Sequence, residues 1–339
     1  MITPIESPWE PDLWQSELSG AIRTSTELLE YVGVPTTDAD LSRRPEFPAP
    51  DFPVLVPRGF AARMKKGDAA DPLLRQVLAT DTEEETVVAF VKDPLAETQT
   101  QVSPAPGLIK KYAGRALLIT TTGCAVHCRY CFRRHFPYSA HRPKEQEQAL
   151  VALRADPSIR EVILSGGDPL LLDDIALGRL LQELGNIEHV ERIRIHSRIP
   201  VVLPERVTQA LLTTLQQCPV PVVMVIHSNH TRELDATTAR ALGALKQHVL
   251  WLLNQAVLLA GVNNSIEAQT ELAEGLFSQG VMPYYLHMPD RVAGTHHFFV
   301  DDAEAQFIYH GMQASLPGYL VPRLVREIPG ESSKTLLPF

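Results

Sequence analysis

The clearest pattern in this chain is a repeat that begins near residue 107, in which short apolar runs alternate with longer stretches of helical periodicity. Apolar runs rich in β-branched residues predict strands, and apolar residues at every third or fourth position predict amphipathic helices. The predicted strands are 116–121, 161–165, 192–196, 222–227, part of 249–260, and 281–286. The predicted helices are 145–155, 173–184, 204–217, 232–247 and 266–279. This alternation predicts an α/β fold with a parallel sheet, and six units rather than eight predict a partial (β/α)6 barrel.

The first hundred residues lack this alternation of apolar runs and helical stretches. Apolar residues recur near helical spacing at Trp14, Leu18 and Ile22, prolines punctuate residues 45–57, and a second helical stretch covers residues 72–78. The sequence therefore predicts an N-terminal helical region at 1–106, a partial barrel at 107–315, and a C-terminal segment at 316–339 that closes the barrel mouth. No candidate chemistry is evident in the first of these regions.

Composition narrows the possible functions. Hydrophobic residues make up 45% of the 339 residues, enough for a full core, and a formal net charge of −9 argues against a duplex-nucleic-acid surface, which is basic. The start of the chain has no basic segment followed by an apolar run, so no secretory signal is expected. The longest apolar run, 249–262, is interrupted by Asn254 and Gln255 and is too short to span a membrane. The cytoplasm is the expected compartment.

Three of the four cysteines lie within eight residues, as Cys124, Cys128 and Cys131 in a C-x3-C-x2-C pattern after the first predicted strand. Thiolates this close cannot all form disulfides, whereas three can hold one polynuclear centre of soft metal ions. An iron–sulfur cluster is the favoured interpretation, and because a cubane cluster needs four ligands, one iron would be open. A zinc site closed by His127 or His135 is the alternative. Cys218 is expected to fill core.

Basic residues surround the cysteines, although the chain as a whole is acidic. They are Arg129, Arg133, Arg134 and His135. We interpret this cluster as a pocket for the anionic groups of a small molecule, and a solvated run of charges is the alternative.

Polar residues follow the predicted strands at one end, where the loops of βα-barrels form active sites. They are Ser165-Gly166-Gly167-Asp168, His196-Ser197-Arg198, His227-Ser228-Asn229-His230, then Asn254, Gln255 and Asn263, and finally His287 and Asp290. This distribution predicts an active site spread over one rim. Near the end of the chain, Lys334 follows a Pro-Gly-Glu-Ser-Ser sequence, and such a loop could bring its amine back to the barrel mouth to form a Schiff base.

The cysteine pattern, the Gly-Gly-Asp loop and the partial barrel together resemble the radical S-adenosylmethionine (SAM) superfamily. Longer motifs resemble the lysine 2,3-aminomutase family over nearly the whole chain, and within it the short bacterial branch that makes (R)-β-lysine for elongation factor P. These motifs are Lys111-Tyr112, Arg115, Cys128-Arg129-Tyr130-Cys131-Phe132-Arg133-Arg134, Ser165-Gly166-Gly167-Asp168-Pro169-Leu170, Arg198-Ile199-Pro200-Val201-Val202, Pro329-Gly330 with Lys334, Phe52 to Phe60, and Asp71 to Gln76.

The resemblance implies roles for individual residues. Cys124, Cys128 and Cys131 would bind a [4Fe–4S] cluster whose fourth iron binds S-adenosyl-L-methionine. Residues along SAM would be Gly166, Gly167 and Asp168, with His227, His230 and Gln255. Lys334 would hold pyridoxal 5'-phosphate (PLP) covalently, and the residues that hold this cofactor or its phosphate would be Lys111, Tyr112, Arg115 and Arg198.

The resemblance also implies how a lysine substrate is held. Arg133 would bind its α-carboxylate, because a planar guanidinium suits that anion, and Asp290 and Glu327 would receive its side-chain ammonium. Two positions depart from the family pattern: Lys111 stands where arginine is expected, and Glu327 stands where aspartate is expected.

The implied reaction is the conversion of L-lysine to β-lysine, an isomerisation, with a reduced flavodoxin or ferredoxin-like electron donor. The implied partners are elongation factor P and its lysyl ligase, with no nucleic acid and no membrane. Two alternatives stay open. One is a radical SAM enzyme without PLP, such as a glycyl-radical activase or a methylthiotransferase, and the other is a zinc-containing protein that binds translation factors.

Overall fold

The computed structural model describes residues 14–35, 52–99, 102–137 and 143–337. Of the proline-rich stretch at 45–57, residues 45–51 lie outside the described ranges. The first 13 residues of the predicted N-terminal region also lie outside them. No helix in the described part of the chain is both long enough and apolar enough to cross a lipid bilayer.

One sheet of nine strands organises the described residues, and its spatial order follows the chain from β1 to β9. The strands are β1 Leu108–Tyr112, β2 Arg115–Thr121, β3 Glu161–Gly166, β4 Arg192–Ser197, β5 Val222–Ile226, β6 Trp251–Val257, β7 Met282–His287, β8 Arg323–Arg326 and β9 Thr335–Leu336. Strands β2 to β8 pair in parallel, whereas β1 and β9 are antiparallel to their neighbours and form the two edges. The sheet is therefore an open, partial barrel, as predicted.

Between consecutive parallel strands from β2 to β8, the chain forms helices that make the crossover connections. The α-helices are α1 Trp14–Ser19, α2 Ser25–Val32, α3 Arg58–Ala61, α4 Pro72–Arg75, α5 Pro143–Ala155, α6 Asp174–Gly185, α7 Ile199–Val202, α8 Gln209–Gln216, α9 Ala236–Lys246, α10 Ile266–Ser278 and α11 Asp302–Ser315. The predicted helix at 232–247 begins later, at α9, because the Asp235 side chain accepts a hydrogen bond from Thr238 N and caps the helix there. The predicted helix at 204–217 is a 3-10 turn followed by α8, which Thr208 caps.

The six predicted strands are all present, and β8 adds a seventh parallel strand that the hydrophobic pattern did not predict. Side chains alternate between the two faces of the sheet. On β4, Ile193 and Ile195 are fully buried in the main hydrophobic core, while the partly exposed Arg194 and His196 point the opposite way, into the barrel interior. The interior is therefore lined with polar groups.

The N-terminal region shares its core with the barrel. Phe60, Leu73 and Leu74 are fully buried in the same cluster of hydrophobic residues as the barrel helices. Residues 81–99 then cross the barrel mouth, where Val91 N donates to Arg291 O (3.0 Å) and pairs with the loop after β7. This crossing brings acidic residues from the N-terminal region to the rim.

Candidate active site

The three cysteines lie on the loop that follows β2, at the rim where the parallel strands end. This loop is fixed to the N-terminal region, because the fully buried Arg129 forms an ion pair with Glu83 and its Nη1 donates to Phe52 O (2.9 Å). Arg134 also pairs with Glu83, at 2.7 Å. Part of the predicted basic pocket therefore holds the cysteine loop in place.

The cysteine thiols influence one another electrostatically. Burial raises the pKa of Cys131 to about 11, and the neighbouring Cys128 adds to this effect. Burial, Cys131 and Asp168 raise the pKa of Cys124 in the same way. Arg198 Nη1 donates to Cys128 Sγ at 2.6 Å, so a positive charge lies beside the middle cysteine. These thiols need a cation if they are to be ionised together, and a polynuclear metal centre supplies that charge.

Both histidines considered for a zinc site have other partners in the structure. His127 Nδ1 pairs with Pro53 O (2.7 Å) and its ring stacks on Phe52, while His135 Nε2 pairs with Ala293 O (3.1 Å). Within the described ranges, no set of three or more His, Cys, Asp or Glu side chains converges as the ligands of a single ion do.

The Gly-Gly-Asp loop after β3 packs directly against the cysteine loop. Gly166 has φ +114°, and a Cβ on Gly167 would lie 1.9 Å from Gly123 O. Both positions therefore require glycine for backbone conformation and close approach. The buried Asp168 carboxylate accepts from Ser197 Oγ (2.7 Å) and from Arg198 N (2.7 Å), which ties this loop to the end of β4.

The other residues predicted along SAM lie at different depths. His227 Nε2 pairs with Tyr130 OH (2.9 Å) of the cysteine loop. Gln255 lies in the barrel interior, where its Nε2 is 3.4 Å from His196 Nδ1. The His230 ring accepts from Arg232 N (3.1 Å) and caps the following 3-10 turn, so this side chain has a structural role as well as its predicted place along SAM.

At the barrel mouth, five side chains of alternating charge form a continuous series. Arg133 pairs with Glu97 (2.7 Å), Glu97 with Lys111 (3.0 Å), Lys111 with Glu327 (2.6 Å), and Glu327 with Lys334 (2.5 Å). We call this series the mouth network. It brings together residues from the 81–99 crossing, the cysteine loop, β1 and the segment before β9, and it contains Lys334, whose side chain is 22% exposed.

A second carboxyl group lies near the mouth network, and its pKa is shifted in the opposite direction from that of Glu327. Burial and the charge of Glu327 raise the pKa of Asp290 to about 7. Burial would also raise the pKa of Glu327, but Lys334 and Lys111 outweigh it and lower that pKa to about 2. Near neutral pH, one of the two predicted ammonium-binding acids is fully charged and the other is close to half-protonated.

Comparisons with known proteins cover nearly the whole chain. Residues 118–227 match the Radical SAM superfamily. The L-lysine 2,3-aminomutase of Escherichia coli (strain K12) is 43% identical over 338 residues, which is 99% of this chain and 97% of that relative. This chain belongs to the lysine 2,3-aminomutase family. The L-lysine 2,3-aminomutase of Clostridium subterminale is 34% identical over 325 residues, covering 95% of this chain and 77% of that relative.

A solved radical SAM methyltransferase from Sphaerobacter thermophilus aligns with a TM-score of 0.48 and 16% identity, covering 65% of this chain and 68% of that one.

Two of the residues that the sequence placed at the cofactor or its phosphate have protein partners in this structure. The Lys111 amine lies between Glu97 and Glu327. The Arg198 guanidinium contacts Cys128 and donates to Gln76 Oε1 (2.7 Å). In this structure Arg198 accompanies the cysteines, and Lys111 belongs to the mouth network.

Buried polar atoms test whether the interior of this family member fits an anionic cofactor near Lys334. Tyr112 OH, Arg194 Nε and His196 Nε2 are buried and have no hydrogen-bond partner within the described part of the chain. Burial lowers the pKa of His196, and the nearby charges of Arg194 and Lys334 lower it further. Unpartnered donors of this kind are costly unless a ligand accepts from them. The interior therefore fits a ligand that carries hydrogen-bond acceptors and negative charge, as PLP does.

Several site residues escaped sequence reasoning. Glu83 and Glu97 come from the N-terminal region, for which the sequence indicated no chemistry, and Arg194 is an interior residue of β4. His196, which the sequence placed on the rim after the third predicted strand, lies on the same interior face as Arg194. The alternation of Ile193, Arg194, Ile195 and His196 was a usable signal, because two polar residues face one side of a predicted strand. No local pattern marked the two glutamates, since their partners are distant in sequence.

Proposed function

We propose that this chain converts L-lysine to β-lysine by moving the amino group from C2 to C3, with a [4Fe–4S] cluster, SAM and PLP as cofactors. The observation that carries the proposal is the placement of Lys334 in the mouth network, next to an interior with unpartnered buried donors. Three thiols at the same rim complete the cofactor requirements of the family. When bound, SAM on the cluster supplies a radical that abstracts hydrogen, and PLP supplies the aldehyde that receives the migrating amino group.

Each part of the chain has a role in this proposal. Cys124, Cys128 and Cys131 bind the cluster, and Arg198 stabilises negative charge on the thiolate of Cys128. The Gly166-Gly167-Asp168 loop holds the cysteine loop close and borders the SAM site together with His227 and Gln255. Burial of these groups excludes water, which protects a reactive radical from side reactions.

The PLP site is built around Lys334. The Lys334 amine would bind the aldehyde, and Tyr112 OH, Arg194 Nε and His196 Nε2 would be donors to acceptor atoms of the cofactor. Arg115, whose guanidinium lies over the Tyr112 ring at 4.6 Å, adds positive charge near the same end of the sheet. These residues supply the cations and donors that a phosphate group needs.

The substrate is held at both ends. Arg133, oriented by Glu97 and Ser165, binds the α-carboxylate, while Glu327 and Asp290 bind the side-chain ammonium. In this structure Glu327 pairs with Lys334. Glu327 would exchange this partner for the substrate ammonium, and Lys111 would remain its second cation.

The experiment is an anaerobic assay with reconstituted protein, lysine, SAM, PLP and dithionite, with the products resolved by chiral chromatography. We expect (R)-β-lysine, and no β-lysine from Lys334→Ala. Borohydride reduction followed by peptide mass spectrometry should place PLP on Lys334. A lysine peptide without PLP would favour a radical SAM enzyme that does not use PLP, and one zinc per chain would favour the zinc protein.

We also propose that the product is used to modify elongation factor P, with a flavodoxin or ferredoxin-like protein as the electron donor in the cytoplasm. This part rests on the likeness to the short bacterial branch of the family. Incubation of the product with elongation factor P and a lysyl ligase should add the mass of one β-lysyl group. Equal modification with α-lysine and β-lysine would contradict this link.

A further inference from the structure

Glu97 connects two cations that belong to different parts of the active site. Its carboxylate makes a two-point contact with Arg133, at 2.7 Å to Nε and 3.0 Å to Nη2. The same carboxylate lies 3.0 Å from Lys111 Nζ. Glu97 comes from the segment that crosses the barrel mouth, whereas Arg133 follows the cysteines and Lys111 lies on β1. One side chain therefore fixes groups from two other elements.

One cation belongs to the carboxylate-binding group and the other contacts the ammonium-binding group. This assignment rests on the function proposed above. Arg133 binds the α-carboxylate, and Glu97 occupies its Nε–Nη2 edge while Ser165 Oγ accepts from Nη1 at 3.1 Å. Lys111 donates to Glu327 Oε1 at 2.6 Å, and Glu327 binds the ammonium. Glu97 and Lys111 are thus a bridge of two charged residues between the carboxylate end and the ammonium end.

This bridge is shielded from water and well defined. The side chains of Arg133 and Glu97 are each 5% exposed, that of Lys111 is 15% exposed and that of Glu327 is 14% exposed. Burial would raise the pKa of Glu97, but Arg133 and Lys111 outweigh it and hold the pKa below its ordinary value. An ion pair in such a place is strong and geometrically specific, and loss of one member leaves a buried charge uncompensated.

We propose that Glu97 and Lys111 are positioning residues that set the separation between the carboxylate-binding and ammonium-binding groups, and so select the chain length of the diamino acid substrate. With both ends held by fixed charges, a homologue that is shorter by one methylene can reach only one end. The charged group of the protein at the other end is then buried without a partner, and this cost discriminates against the shorter amino acid. Neither residue needs to touch the substrate for this effect.

The test compares lysine with ornithine, which has one methylene fewer, in the wild type and in Glu97→Gln. The glutamine keeps the size of the side chain and removes its charge. Dissociation constants are measured by equilibrium dialysis on protein reconstituted with cluster and PLP but without SAM, so that no turnover occurs, and kcat and KM are measured separately with SAM. We expect the preference for lysine to fall by about tenfold in Glu97→Gln, with KM changing more than kcat.

Asp93→Ala is the matched control. Asp93 accepts from Glu97 N (3.0 Å) and Thr98 N (3.1 Å), so it shapes the same turn, and the charge of Lys111 lowers its pKa less than these hydrogen bonds do. Iron content, PLP content and thermal unfolding are measured for every variant. An unchanged lysine preference in Glu97→Gln overturns the inference, and so does an equal loss in Asp93→Ala, because the turn would then be responsible. Wild-type protein that makes no β-lysine would instead refute the proposed function.

Discussion

Lys334 Nζ lies 2.5 Å from Glu327 Oε2, so the amine expected to carry PLP is neutralised by the acid expected to hold the substrate. The same carboxylate also accepts from Lys111. Under the proposed function, Glu327 therefore contacts both the residue that holds the cofactor and the substrate.

Glu327→Gln should lower kcat/KM for lysine by about 10- to 100-fold, because hydrogen bonds to charged groups contribute roughly 1.5–3 kcal/mol. The amide keeps the shape of the side chain but cannot neutralise an ammonium. Steady-state kinetics on reconstituted enzyme measure the effect. Glu331→Gln, an exposed acid on the same loop, is the control and should be neutral. Equal kinetic constants for Glu327→Gln and the wild type would remove Glu327 from substrate binding.

Asp290 should make stability depend on pH in a definite direction. Burial raises the pKa of its carboxyl to about 7, with Glu327 adding to the rise and Lys334 and Lys111 opposing it. A carboxyl group whose pKa is higher in the folded state stabilises the fold at low pH, and this contribution is lost as pH rises through the folded pKa.

Wild-type Tm should therefore fall relative to Asp290→Asn as pH increases from about 4 to 7 and should then level off. Thermal unfolding of cofactor-free protein at a series of pH values measures this difference. Parallel Tm curves for the two proteins would contradict the raised pKa.

Gly167→Ala should prevent correct assembly of the rim, because the new Cβ would lie 1.9 Å from the backbone oxygen of Gly123. Gly123 directly precedes Cys124, so a shift of its backbone would displace the first cysteine. Iron content after reconstitution and thermal unfolding should both decrease sharply. Gly243→Ala is the control, since nothing lies within 4 Å of its Cβ position and helix α9 should gain roughly 0.5–1 kcal/mol. Full iron incorporation in Gly167→Ala would show that the two loops are not in contact.

Tyr112→Phe should have different effects on stability and on cofactor binding. Burial and the nearby charge of Glu327 raise the pKa of the Tyr112 hydroxyl, which makes no short hydrogen bond within the described ranges, so its removal should leave the cofactor-free protein nearly as stable. The loss of one donor should weaken PLP binding by about 2- to 10-fold, from roughly 0.5–1.5 kcal/mol for a hydrogen bond. Thermal unfolding without PLP and equilibrium dialysis with PLP are the two measurements. A destabilised variant with normal PLP affinity would assign Tyr112 a purely structural role.

Local patterns in the sequence were sufficient for most of the barrel. Each predicted strand is present because β-branched residues and period-two or continuous apolar runs reflect burial directly. Strand β8 was missed because Arg323–Arg326 has only four residues and no distinctive period. The two-residue strand β9 has no pattern of its own and exists through its pairing with β8.

The site was predictable where its chemistry is local in sequence. Three cysteines within eight residues indicate a metal centre directly, and the Gly-Gly-Asp loop follows a recognisable strand. Pairings between distant residues were not predictable, because ion pairs such as Glu97 with Arg133 depend on how the N-terminal region crosses the barrel mouth. The position of Lys111 between two carboxylates has the same origin.

Lys334 immediately precedes β9, which is joined to β8 through Leu336 opposite Val325 and Thr335 opposite Arg326. A short edge strand is the kind of element that opens by local fluctuation while the rest of the sheet stays folded. Amide hydrogens of β9 should therefore exchange faster than those of β3 to β6 in cofactor-free protein, and more slowly after PLP is attached. Under the proposed function, the covalent cofactor would reach Lys334 through fraying at one edge, without unfolding of the barrel.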